Sequence, residues 1–199
     1  MRCDAPEGRS GRWVLERFEV REDPDYRAEL DERPPWVRRE PGIYSQLRRD
    51  GVVYMTDLFD EWYTQRAFLE RARLHPAGEH LVTGLGLGLV VETLLQDPSC
   101  APRRITVVER SADVLRLVGD HLAARYGASL RLVEADAFSW QPPQGERFDL
   151  IWHDIWPDPR APEVAREIEL LERRYAPFCA PQDGWQGSWP REYRAAYGD

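Results

Sequence analysis

The chain reads as an α/β protein, with a mostly parallel sheet flanked by helices and a small β-hairpin region in front of it. Three observations predict this. Short β-branched runs, at 80–83, 104–109, 129–133 and 148–154, alternate with stretches of helical periodicity. The links between them are short, which is the rhythm of βαβ units. Alternating glycines, Gly84-Leu85-Gly86-Leu87-Gly88, separate the first run from a helix. In an open parallel sheet that turn faces the ligand site.

Taken in order, residues 1–11 are polar, contain Gly and Pro, and read as a flexible tail. Residues 12–57 form an N-terminal β region, in which Arg49-Asp50-Gly51 marks a hairpin with an Asp-Gly turn. Residues 58–199 form the main domain, which begins with a helix from about Leu58 to Leu74. After the glycines, Arg104-Ile105-Thr106-Val107-Val108-Glu109 is a strand ending in an acid. A helix follows to Tyr126, with Ser111 as its N-cap and Val114, Leu115, Leu117, Val118 and Leu122 at helical spacing. The next strand leads into Asp136-Ala137, and Phe148-Asp149-Leu150-Ile151-Trp152-His153-Asp154 is the fourth. A helix from Ala161 to Tyr175 carries Val164, Ile168 and Leu171 on one face, with Pro162 suiting its first turn. No further strand is expected, so the sheet reads as C-terminally truncated.

The glycine loop decides between ligand classes. The dinucleotide spacing G-x-G-x-x-G fails, because its third glycine falls on Leu89 or Val91. A phosphate-cradling P-loop needs a lysine, and the sequence has none. The pattern Gly84-x-Gly86-x-Gly88 resembles the first motif of class I S-adenosylmethionine-dependent methyltransferases, which have a Rossmann-like fold. That resemblance, spanning roughly residues 78–160, assigns Gly84, Gly86 and Gly88 to the methionine part of the cofactor. It also assigns Glu109 to the ribose, and Asp136 and Ala137 to the adenine. A carboxylate is suited to the ribose because both hydroxyls can donate to it.

Within the class the chain resembles the spermidine synthase-like branch, whose members carry a small β region and a helix ahead of the glycine loop. That branch places an aspartate after the fourth strand to handle the attacking amine, and Asp154 matches it. The sequence departs from the branch in Asp154-Ile155-Trp156-Pro157-Asp158, where small polar residues are usual, and at Val82, where the superfamily often has an acid.

Composition narrows the function further. A net charge of −8 disfavours nucleic acid as a partner and suits a cationic or neutral small-molecule acceptor. Cys3, Cys100 and Cys179 are widely separated, without metal-ligand spacing, and suggest a reducing cytoplasm. No metal, membrane span or leader is expected. Without lysine, proton handling falls to Asp154, His153, Asp158 or Tyr175, and strand alternation sends His153 and Asp154 to opposite faces. The remaining histidines, His75, His80 and His121, read as structural or exposed. Trp156 and Trp185 are candidate walls of a substrate pocket, alongside Trp152 and Trp189. The same tryptophans also suit packing at a sheet edge or a subunit contact, which leaves a homodimer open. The expected activity is methyl transfer to a small acceptor. The alternatives are aminopropyl transfer from decarboxylated S-adenosylmethionine, or cofactor binding without catalysis.

Overall fold

The computed structural model describes residues 2–21 and 40–197. Four antiparallel strands come first: β1 (Gly8–Ser10), β2 (Trp13–Val20), β3 (Gly42–Arg49) and β4 (Val52–Thr56), in that spatial order. The turn between β3 and β4 uses Asp50 and Gly51 at φ 51° and 82°. Positive φ at both central residues is what a tight two-residue hairpin demands and what Asp-Gly supplies.

Residues 2–11 are not the frayed tail that their composition suggests. Cys3 and Ala5 are buried. The Cys3 N–H donates to Asp57 Oδ2 at 2.9 Å, and Asp4 pairs with His121 and Arg125. The hairpin region is thus a four-stranded sheet, held to the rest by its N-terminal segment.

A second, five-stranded sheet follows: β5 (Glu79–Thr83), β6 (Arg104–Glu109), β7 (Leu130–Glu134), β8 (Leu150–His153) and β9 (Trp185–Ser188). All its pairings are parallel and its order is β7-β6-β5-β8-β9. From β5 the chain winds first toward β7, then returns to lay β8 on the other side. The carboxyl ends of β5 and β8 therefore flank a topological switch point, where open α/β sheets bind ligands. Helices cover both faces, so β5 is buried from His80 to Thr83 and reads as a continuous run rather than an alternation. The edge strand β9 is missed by sequence reading: Trp185-Gln186-Gly187-Ser188 is short and carries no apolar β-branched residue.

Two helices differ from expectation. The run from Leu58 to Leu74 breaks into α1 (Phe59–Thr64) and α2 (Arg66–Ala72) at Gln65. There the backbone N–H takes the tighter bond to Trp62 O while the side chain turns inward, 1% exposed. After β6, α3 (Leu89–Gln96) being the helix before it, α4 (Ala112–Val114) continues through a π-turn, Leu115–Gly119, into α5 (Asp120–Tyr126). Ser111 caps α4, its side chain accepting from Val114 N–H at 3.3 Å. The helix α6 (Val164–Tyr175) buries Val164, Ile168 and Leu171 as expected, but starts two residues after Pro162. The last element, α7 (Trp189–Tyr197), follows β9 directly.

Candidate active-site cleft

A cleft opens at the carboxyl ends of the parallel strands, roofed by the antiparallel sheet. Its floor carries Gly84 and Gly86 after β5, Glu109 at the end of β6, Asp136 and Ala137 after β7, and Asp154 after β8. Strand order alone brings these distant residues together.

The glycines answer first to the protein's own packing. A Cβ on Gly84, at φ 91°, would run into the Asp154 carbonyl oxygen. One on Gly86 would lie 2.5 Å from Met55 Sδ, the roof residue that accepts the Leu87 N–H at 3.3 Å. One on Gly88 would lie 2.6 Å from Leu122 Cδ1. Gly84 and Gly86 still face the cleft. Gly88 does not line it and serves instead to let the glycine loop pack on α5, a correction to its expected place at the cofactor.

Glu109 is held by two backbone amides, Leu85 N–H at 3.0 Å and Ser111 N–H at 2.8 Å. Each oxygen keeps a lone pair free, so the fixed carboxylate can still accept a diol. Asp136 is exposed and folds its Oδ1 back onto Phe138 N–H at 2.8 Å. Ala137 is buried, and its carbonyl accepts the Tyr175 hydroxyl at 2.9 Å.

Asp154 accepts a 3.0 Å bond from Gln65 Nε2 at Oδ2, and Gln65 Oε1 in turn accepts from Trp152 Nε1 at 2.7 Å. The indole fixes which end of the amide faces Asp154. Burial pushes the Asp154 carboxyl up to about 7 against the opposing pull of Gln65. Glu61, on the first turn of α1, faces the same cleft. Burial, then the charges of Asp60 and Asp154, raise it to about 8 against a hydrogen bond from the Thr56 backbone. Trp13, Tyr54, Phe138, Trp156 and Trp189 supply aromatic wall. Trp156 and Trp189 are anchored by their indole N–H groups, to Glu167 at 2.7 Å and Thr64 at 2.8 Å.

Four more expected residues lie elsewhere. His153 is fully buried, bonded to Thr83 Oγ1 and Gln186 Nε2 at 2.9 Å each, and burial drives its pKa down to about 3. Asp158 is exposed and accepts the Arg160 N–H in a local turn. Trp185 stacks on Phe68 and Trp152, at centroid distances of 6.2 and 6.0 Å, away from the cleft. Tyr175 is likewise 0% exposed. In the other direction, sequence reading misses Glu61, Gln65 and Met55. The available signal is the pair Glu61 and Gln65, one helical turn apart in the segment leading to the glycine loop.

No family profile matches the chain, and no curated protein is similar to it in sequence. Among solved structures, the chain has a methyltransferase-like α/β fold. Coclaurine N-methyltransferase, crystallised with N-methylheliamine and S-adenosylhomocysteine, superposes with a TM-score of 0.50 at 20% identity, over 65% of this chain and 35% of that enzyme. The N-methyltransferase NodS from Bradyrhizobium japonicum WM9 gives 0.50 at 16% identity, over 64% of this chain and 66% of NodS. The likeness thus spans about a third of the first protein and just under two thirds of the second, and at these identities it establishes the fold alone.

Proposed function

We propose that the protein is an S-adenosylmethionine-dependent methyltransferase that acts on a small, amine-bearing acceptor. The observation that carries this is the single cleft in which Gly84, Gly86, Glu109, Asp136 and Asp154 face one another at the switch point of the parallel sheet. The donor set fits the cofactor. Glu109, clamped by two amides, is a preformed acceptor for the ribose diol, and Asp136 can take the adenine amine. Val108, Val114 and Ala137 give apolar surface for the ring, and Arg110 is the one base among the described residues of the wall. Bound there, the sulfonium supplies a methyl group already activated for transfer. The protein then has to orient the acceptor, exclude water and remove a proton, so alignment carries most of the rate. Asp154, fixed by Gln65, is the group assigned to the amine proton. A carboxylate poised near neutrality suits that exchange.

A second reading is aminopropyl transfer from decarboxylated S-adenosylmethionine, as the spermidine synthase-like resemblance implies. The acid-rich wall, with Glu61 as well as Asp154, favours keeping it. The cysteines are unpaired, in keeping with a reducing cytoplasm. Among the described residues no helix is long and apolar enough to cross a membrane.

Calorimetric titration with S-adenosylmethionine and then with its decarboxylated form tests the reading. Preference for the intact cofactor, weakened roughly a hundredfold in Glu109→Ala by loss of paired charge-assisted bonds, is the expected result. Preference for the decarboxylated form transfers the assignment to the second reading, and binding of neither form overturns both.

A further inference from the structure

Glu61 and Asp154 line the same cleft, one from α1 and one just after β8. The Asp154 carboxylate accepts from an uncharged donor, the Gln65 amide, which lies four residues beyond Glu61. Among the described residues no ion pair reaches either. Other ionisable groups sit further round: Asp60 on the same helix turn, and Glu109, Asp136 and Arg110 on the floor and far wall. Tyr54, Trp156 and Trp189 line the same cleft.

Two carboxylates facing one aromatic cleft without a counter-ion make a poor resting arrangement and a good receptor for a cation. Aromatic faces add to the attraction for an ammonium group. A hydroxyl of the same shape offers neither charge nor a second donor, so it gains much less from the pair.

We propose that Glu61 and Asp154 together bind the acceptor amine as its ammonium ion, and that Glu61 selects cationic nitrogen over a hydroxyl. This rests on the methyltransferase reading for its chemical consequence. In that step the ammonium gives one proton to the Asp154 carboxylate, which becomes the neutral acid. The freed nitrogen lone pair forms the new N–C bond as the methyl carbon's bond to sulfur breaks, and the bonding pair leaves with sulfur. The nitrogen carries the positive charge again, held by Glu61, and Asp154 returns its proton to water. Burial raises both carboxyls, and the charge of Asp154 raises Glu61 further. Cation binding draws both toward the charged form.

The test uses the protein alone, titrated with benzylamine and with benzyl alcohol as the matched neutral probe, read by fluorescence of the cleft tryptophans and by ligand-observed NMR. At about pH 8 benzylamine should bind at least roughly tenfold tighter than the alcohol, as expected for a charge-assisted pair. Glu61→Gln, close in shape, should lower the amine affinity severalfold and leave the alcohol unchanged, while Glu61→Asp keeps more of the preference. Amine affinity should rise from about pH 6 to about pH 8 as the carboxyls ionise, and rise less in Glu61→Gln. Equal binding of the two probes, or an unchanged amine affinity in a Glu61→Gln protein of normal melting behaviour, overturns the proposal. No cofactor is present, so failure here leaves the cofactor titration standing, and failure there leaves this one standing.

Discussion

At the end of β8, consecutive residues meet opposite surroundings. His153 turns into the packed face, between Thr83, Gln186 and the ring of Tyr175 at 5.2 Å. Gln186 donates to Nε2, so the ring's proton sits on Nδ1 and goes to Thr83 Oγ1. Every polar atom of the ring is used, burial favours the neutral form, and nothing is left for chemistry. Asp154 turns the other way, onto the cleft wall, with one oxygen fixed by Gln65. Histidine is the residue that chemical intuition picks first at a strand end. The comparison teaches that a catalytic group needs a partner it can exchange protons with, and that a fully satisfied, sealed imidazole has none.

The largest expected effect breaks the packed side. His153→Ala should destabilise the protein by about 3 kcal/mol, from the cavity and the stranded partners Thr83 and Gln186, seen as a lower denaturation midpoint. Asp154→Asn should stay within about 1 kcal/mol, because the amide replaces a group already half-neutral near pH 7. The two also slope in opposite directions with pH. His153 is depressed from 6.5 to about 3, so the stability it contributes is present above 6.5 and lost as pH falls toward 3. Asp154 is raised from 3.8 to about 7, so its contribution is present below 3.8 and lost as pH rises through 7. Melting curves across that range should show His153→Ala flattening the acid limb and Asp154→Asn flattening the neutral one. A larger stability loss in Asp154→Asn than in His153→Ala would reverse the assignment of roles.

A smaller effect comes from the residue that joins the two sides. Gln65→Leu leaves Trp152 Nε1 without its buried acceptor, a cost of about 1–3 kcal/mol. It also removes the donor that holds the Asp154 carboxyl down, so the Asp154 titration, followed by carboxyl NMR, should move upward from wild type. A stable variant with an unmoved titration would show that Gln65 does not position Asp154.

Much of this was legible in the sequence where the signal is local and periodic. The strands at 104–109 and 148–154, the Asp-Gly hairpin and the Ser111 cap each depend on neighbours within a few residues. The placing of Gly84, Gly86, Glu109, Asp136, Ala137 and Asp154 along one cleft follows from strand order, which the βαβ rhythm implies. What escaped is what only three-dimensional contact decides. Gly88 looks like its two companions in sequence, yet it meets Leu122 rather than the cleft. Trp185 and Trp189 are four residues apart and look alike, yet one stacks on Phe68 and the other closes the cleft. Glu61 is passed over in the sequence because Asp154, an acid that raises it, lies 93 residues further along the chain at the end of another element.

The smallest expected effect is also informative. Asp154 and Asp158 stand four residues apart after β8, separated by Ile155-Trp156-Pro157, and composition alone cannot rank them. Asp158 is exposed, lies off the cleft, and its carboxylate accepts the Arg160 backbone N–H at 2.9 Å. Asp158→Ala should therefore change stability by no more than about 0.5 kcal/mol and leave benzylamine affinity untouched. Asp154→Ala should weaken that affinity severalfold in the same titration. If Asp158→Ala were the more damaging of the two, the segment after β8 would have to swing its second acid into the cleft when a cation binds, and the receptor would be Asp158 with Glu61 instead.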